Sequence, residues 1–188
     1  MAELAELTAR WVEGDLVVPE VNGGTPDPET LEIASHIAAI NRLGFLTEFS
    51  QPGEEVGGYL QRASVSGYCS EGTCNAILAA LVPTDLVILA VPAMLDSYVQ
   101  IPISLDDGVE CTWAGGNSDP ADSEFGEAPG ALAEVRDSWH VDVIDPVWGR
   151  NDVLWPALQD ALAAPKVRRI TNNGQFEDDE PPPGAEIV

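Results

Sequence analysis

One short run sets a histidine among carboxylates. His140-Val141-Asp142-Val143-Ile144-Asp145 alternates polar and apolar residues, which puts His140 and Asp142 on one face of a strand and Asp145 at its end. A histidine with two carboxylates can hold a metal ion or move protons. The plainer reading is a solvent-facing polar stripe that closes in an Asp145-Pro146 turn. A second candidate is Cys69, followed by Ser70, Gly72 and Thr73 where a strand should meet a helix. Backbone N–H groups at a helix start can hold an anion or activate a thiolate. The spacing is that of neither a P-loop nor a dinucleotide fingerprint, and ordinary capping by Ser70 accounts for it. Trp113-Ala114-Gly115-Gly116-Asn117 joins an aromatic plate to a glycine turn, suited to stacking on a flat ligand or to a core tryptophan entering a turn. His36 has no evident partner. None of these reads as a self-contained catalytic site.

Charge narrows the partners. The 188 residues hold 32 Asp and Glu against 8 Lys and Arg, a formal net charge of −24. Such a surface repels phosphate backbones and anionic lipid, so neither nucleic acid nor membrane is expected as a partner. It favours cationic ligands or a basic protein surface. Cys69, Cys74 and Cys111 form no C-x-x-C pair, and three is an odd count, which argues for free thiols. No run is long and apolar enough to span a bilayer, and Met1 to Arg10 lacks the basic start of a signal peptide. A cytoplasmic location is expected, the host's if the chain is phage-encoded.

The elements that must position these residues follow from periodicity. Leu4, Leu7 and Trp11 predict a helix over 2–13, closed by Gly14. Asp27, Pro28 and Glu29 open a second helix, which Gly44 ends. Strands are predicted at 45–49 and 59–68, then a helix from Ser70 to about Val82. Further strands follow at 86–91, 109–113 and 139–144, and a helix over 152–164. The apolar run 86–91 suits a strand covered on both faces. Residues 114–130 read as an acidic loop. The expected class is α/β (α+β): one domain with a mixed sheet flanked by helices, over residues 27–172. A helix and loop (1–26) precede it, and an acidic, proline-rich disordered tail (173–188) follows.

The stretch Asn41-Arg42-Leu43-Gly44-Phe45-Leu46-Thr47-Glu48-Phe49-Ser50-Gln51-Pro52 resembles the opening of the C-terminal regulatory domain of eukaryotic methylenetetrahydrofolate reductase. Three further segments resemble that domain in the same order: Gly57-Gly58-Tyr59 with Gln61-Arg62-Ala63, Thr112-Trp113, and Asp145 to Leu162. The likeness spans roughly 30–165. It is greater to short actinobacterial and actinophage proteins that carry a similar N-R-x-G-x-x-T-x-x-S-Q-P-G segment. The reductase resemblance implies a sheet-and-helix regulatory fold that binds S-adenosylmethionine. It does not imply reductase chemistry, because the flavin-bearing barrel has no counterpart here. Ser64-Val65-Ser66 and the acidic 114–130 loop depart from the domain's pattern.

Together these readings give a noncatalytic binding domain for a nucleoside-like small molecule such as S-adenosylmethionine. The expected ligand residues are Ser50, Gln51, Tyr59, Gln61, Thr73, Trp113 and Asn117. In a phage setting, such a domain would sequester a host signal molecule. The alternatives are a structural or interaction protein that meets a basic partner or assembles with itself, and an enzyme built on His140, Asp142 and Asp145. No metal or cofactor is required by the first reading.

Overall fold

The computed structural model describes residues 1–16, 25–95, 97–116 and 129–164. The element order is α1 (Ala2–Val12), α2 (Pro28–Arg42), β1 (Phe45–Gln51), β2 (Glu54–Val56), β3 (Tyr59–Cys69), α3 (Glu71–Leu81), β4 (Val87–Pro92), β5 (Gln100–Asp106), β6 (Val109–Gly115), α4 (Pro129–Arg136), β7 (Trp139–Trp148) and α5 (Leu154–Ala163).

The long strand β3 organises the seven-stranded sheet. Its first residues pair with β2 and β5, and the rest with β1 and β7. β4 lies outside β7, and β6 outside β5. The expected class holds, a single domain with helices flanking a sheet. Mixed strand directions were expected, whereas every described pairing is antiparallel. The reason is a split β-α-β unit. α3 carries the chain from β3 to a parallel β4, and β7 inserts antiparallel between the two.

Alternation along β3 assigns the two faces. Ala63, Val65 and Cys69 join Phe45, Val141 and Val143 in a core beneath α2, α3 and α5, filled by Ile37, Ile77, Leu154 and Trp155. Ser64, Ser66 and Tyr68 point the other way. On that side α1 and α4 cover only one end, where Leu4, Ala5 and Val135 pack on Leu46 and Tyr68. α1 also places Ala9 and Val12 in the main core, so the N-terminal helix is integral to the globular unit. The β5–β6 hairpin meets this second face at its other end, through Ile103, Ala114 and Ile144. A strip of the face stays uncovered between the two.

Several local expectations are met in detail. Ser70 Oγ accepts from Thr73 N–H at 3.1 Å to cap α3, and Gly44 adopts φ +95° after α2. Gly57 and Gly58, both at positive φ, form a two-residue turn between β2 and β3 that the sequence reading did not anticipate. Others change. β4 is a half-buried edge strand, not one covered on both faces. β7 runs on through Asp145-Pro146 to Trp148, where a turn was expected. β2, β5 and α4 are additional elements. β5 contains Pro102, which argues against a strand, and a register shift beside Pro102 accommodates it. Residues 117–128 of the acidic loop and the 173–188 tail lie outside the described residues.

Candidate functional site

The uncovered strip of sheet forms the floor of a cleft of ≈ 370 Å³, and β6 forms its wall. A bulge in β1 between Thr47 and Phe49 turns both Glu48 and Phe49 toward the cleft. β3 contributes Ser66, and β7 contributes His140 and Asp142. The wall runs from Cys111 to Gly116 and includes Trp113. Cross-strand pairing sets the floor: Ser66 lies opposite Asp142, and Tyr68 opposite His140.

The floor is one polar network. Ser66 Oγ–H donates to Asp142 Oδ1. His140 Nε2 lies 3.2 Å from Glu48 Oε2 and its Nδ1 3.7 Å from Asp142 Oδ2. Tyr68 Oη donates weakly to Glu48 Oε1 at 3.4 Å and meets the imidazole edge-on, with centroids 5.1 Å apart. Burial opposes a charge on His140. The hydrogen bond to Glu48 and the charges of Asp142 and Glu48 outweigh it, so the imidazole pKa is raised above 6.5. Asp142 is 3 % exposed and His140 8 %. The walls are more open: Trp113 is 46 % exposed, with its indole N–H donating to Glu110 Oε2 at 3.1 Å, and Phe49 is 42 % exposed.

The seven residues expected to bind ligand divide between four places, with one undescribed. Trp113 lines the cleft. Gln51, Tyr59 and Gln61 cluster instead where β1, β2, β3 and β5 meet. Gln51 Nε2 donates to the carbonyls of Arg62 and Ile103 at 2.9 and 3.0 Å. Tyr59 Oη donates to Gln61 Oε1, and Gln61 Nε2 donates to Pro52 O at 2.8 Å and Glu29 Oε2 at 3.2 Å. Ser50 pairs opposite Val65, whose side chain is in the core beneath the helices. Thr73 is buried in the first turn of α3. Asn117 lies outside the described residues.

Of the His–Asp run, His140 and Asp142 converge as expected, and Asp145 departs. Asp145 is fully buried, accepts from Val147 N–H and is held by Arg150 Nε at 2.7 and 2.9 Å. The extension of β7 puts it inside the strand, on a different network. Among the described residues, no group of three His, Cys, Asp or Glu side chains is placed to hold a metal ion. Cys69 and Cys74 are buried in the core, and their mutual hydrogen bond lowers the Cys74 thiol's pKa. His36 packs on Trp155 and bonds Gln159.

Glu48, Phe49, Ser66 and Cys111 are the cleft residues that sequence reasoning missed, whereas the Trp113 to Gly116 run lines the cleft as one of its readings expected. Ser64-x-Ser66-x-Tyr68 is a legible sign of a polar face. The bulge that turns Glu48 inward has no signature in the residues themselves.

A sheet with α2, α3 and α5 on one face and, on the other, a hairpin-walled cleft beside α1 and α4 defines a single-domain α+β protein. Residues 1–165 match the model of a family described as a domain of unknown function, DUF6919, and the chain belongs to that family. No curated protein matches the chain. Among the described residues, no helix is long and apolar enough to cross a membrane.

Proposed function

We propose that the chain is a noncatalytic small-molecule-binding domain whose cleft takes a flat, cation-bearing, nucleoside-like ligand such as S-adenosylmethionine. The observation that carries this is the lining. Half-exposed Trp113 and Phe49 face the same cleft as the carboxylates of Glu48 and Asp142. Aromatic rings beside carboxylates favour a ring system that carries positive charge. The volume is within the range of small-ligand sites. The polar groups do not suit nucleophilic catalysis. Ser66 donates to Asp142 rather than to His140, and both imidazole nitrogens face carboxylates. Calorimetric titration with S-adenosylmethionine is the test. A saturable isotherm, weakened about tenfold in Trp113→Ala, is expected, in line with loss of a half-buried aromatic contact. Flat isotherms for both proteins would contradict the proposal.

A second reading, an interaction protein, draws support from the segment between β4 and β5. Met94, Leu95 and Val99 are at least half exposed and Tyr98 is 93 % exposed on a strongly acidic chain. An aromatic, apolar loop of this kind suits an apolar partner surface, a second copy of the chain included. Self-association through the loop would make sedimentation depend on protein concentration in the wild type and not in Tyr98→Ser. Identical, concentration-independent sedimentation of both removes that form of the reading.

A further inference from the structure

The cleft floor holds a group that can itself become a cation. His140 stands between Glu48 from β1 and Asp142 on β7, with one ring nitrogen toward each. Tyr68 from β3 closes the ring edge. Across the cleft β6 brings the Cys111 thiol, and Glu110 through its bond to Trp113. Among the described residues, no lysine or arginine lines the cleft. With the imidazole protonated, His140, Glu48 and Asp142 carry one net negative charge; with it neutral, they carry two.

This arrangement constrains any charged ligand. The carboxylates that attract a cation into the cleft are the same two that hold the imidazolium. Like charges a few ångströms apart in a partly buried site disfavour one another strongly. A ligand cation and the His140 proton therefore compete for one pair of carboxylates. A permanent cation beside Trp113 and Phe49 has the further attraction of the aromatic faces, which a proton on nitrogen does not use.

We propose that the cleft is a cation-for-proton exchange site: a methylated ammonium or sulfonium group enters against Glu48 and Asp142, beside Trp113 and Phe49, as His140 releases its proton to solvent. This rests on the cleft being the ligand site and specifies what that site does with charge. The exchange balances, with one positive charge bound and one proton released. Affinity for the cation rises with pH, and acidification expels it. Proton and ligand act reciprocally, as linkage requires.

The test needs no knowledge of the natural ligand. The chain has two histidines, so His36→Gln leaves a single imidazole, and His140→Gln in the wild-type background assigns the signals if the first variant folds poorly. The imidazole is titrated by NMR in the full chain, in tetramethylammonium chloride and in sodium chloride, each at about 0.1 M so that screening is matched. The expected result is a His140 pKa about 0.5 unit lower in tetramethylammonium, roughly a threefold loss of proton affinity. Glu48→Gln should abolish the difference. Equal pKa values in the two salts would overturn the exchange. If S-adenosylmethionine also binds calorimetrically, the cleft would still stand as the ligand site. A tetramethylammonium shift without S-adenosylmethionine binding would support the exchange and overturn the nucleoside ligand.

Discussion

The Asn41–Arg62 segment and the cleft share strands β1 and β3, yet they commit their polar side chains in opposite ways. In the segment, the amides are used up internally. Asn41 Nδ2 donates to Ile37 O and Thr47 Oγ1, and its Oδ1 accepts from Thr47 N–H, which ties the end of α2 to β1. Arg42 reaches back to Glu6 and Glu13, fastening α1. Gln51 and Gln61 donate to backbone carbonyls of β3, of β5 and of the β1–β2 connection. Arg62 lies 4.0 Å over the Trp148 ring and donates to Pro102 O. In the cleft, the polar groups bond to one another beneath half-exposed rings and remain in reach of a ligand. The stretch most distinctive by sequence is thus a structural clasp, and the stretch open to chemistry is assembled from four separate strands.

That contrast can be broken by substitution. Asn41→Ala should have the largest effect. It strands the Thr47 N–H in a buried setting and removes the donor to Thr47 Oγ1, at a cost of about 3 kcal/mol. Denaturant unfolding should show the loss, while ligand affinity of the folded fraction is unchanged. Trp113→Ala should behave inversely, with about tenfold weaker binding of S-adenosylmethionine and stability within about 0.5 kcal/mol of wild type, because the ring is half exposed. Ser70→Ala removes the α3 cap and should cost about 1 kcal/mol, with no effect on binding, since the cap lies in neither region.

The smallest effect should be the pH dependence of stability from His140. Its folded pKa is raised above the ordinary value by Glu48 and Asp142 against the opposing pull of burial. Its contribution is therefore fully present below about pH 6.5 and is lost as pH rises through the folded pKa. His140→Gln should remove that slope from unfolding curves measured between pH 6 and 8. A slope of the same size in the variant would assign it to another group.

Much of the fold was legible because local chemistry dictated it. Gly44 and the Ser70 cap each have one physical reading, and the structure uses each so. β5 was hidden by Pro102, and β7 was shortened by Asp145-Pro146, because proline marks a break unless tertiary pairing absorbs it. Of the site, Trp113, His140 and Asp142 could be seen as capable residues. Their meeting with Glu48 and Ser66 could not, since it depends on a bulge and on the order in which strands pair. Gln51 and Gln61 looked like ligand readers for the same reason that they make good clasps: a buried amide must satisfy every donor and acceptor.

An amide-resolved NMR titration with S-adenosylmethionine separates the two regions most directly. Binding in the cleft should shift Ser66, Thr112 to Gly116 and the Trp113 indole N–H, and leave the side-chain amides of Gln51 and Gln61 and the Gly57-Gly58 turn in place. Shifts centred on Gln51, Tyr59 and Gln61, or no shifts at saturating ligand, would contradict the assignment of the cleft as the ligand site.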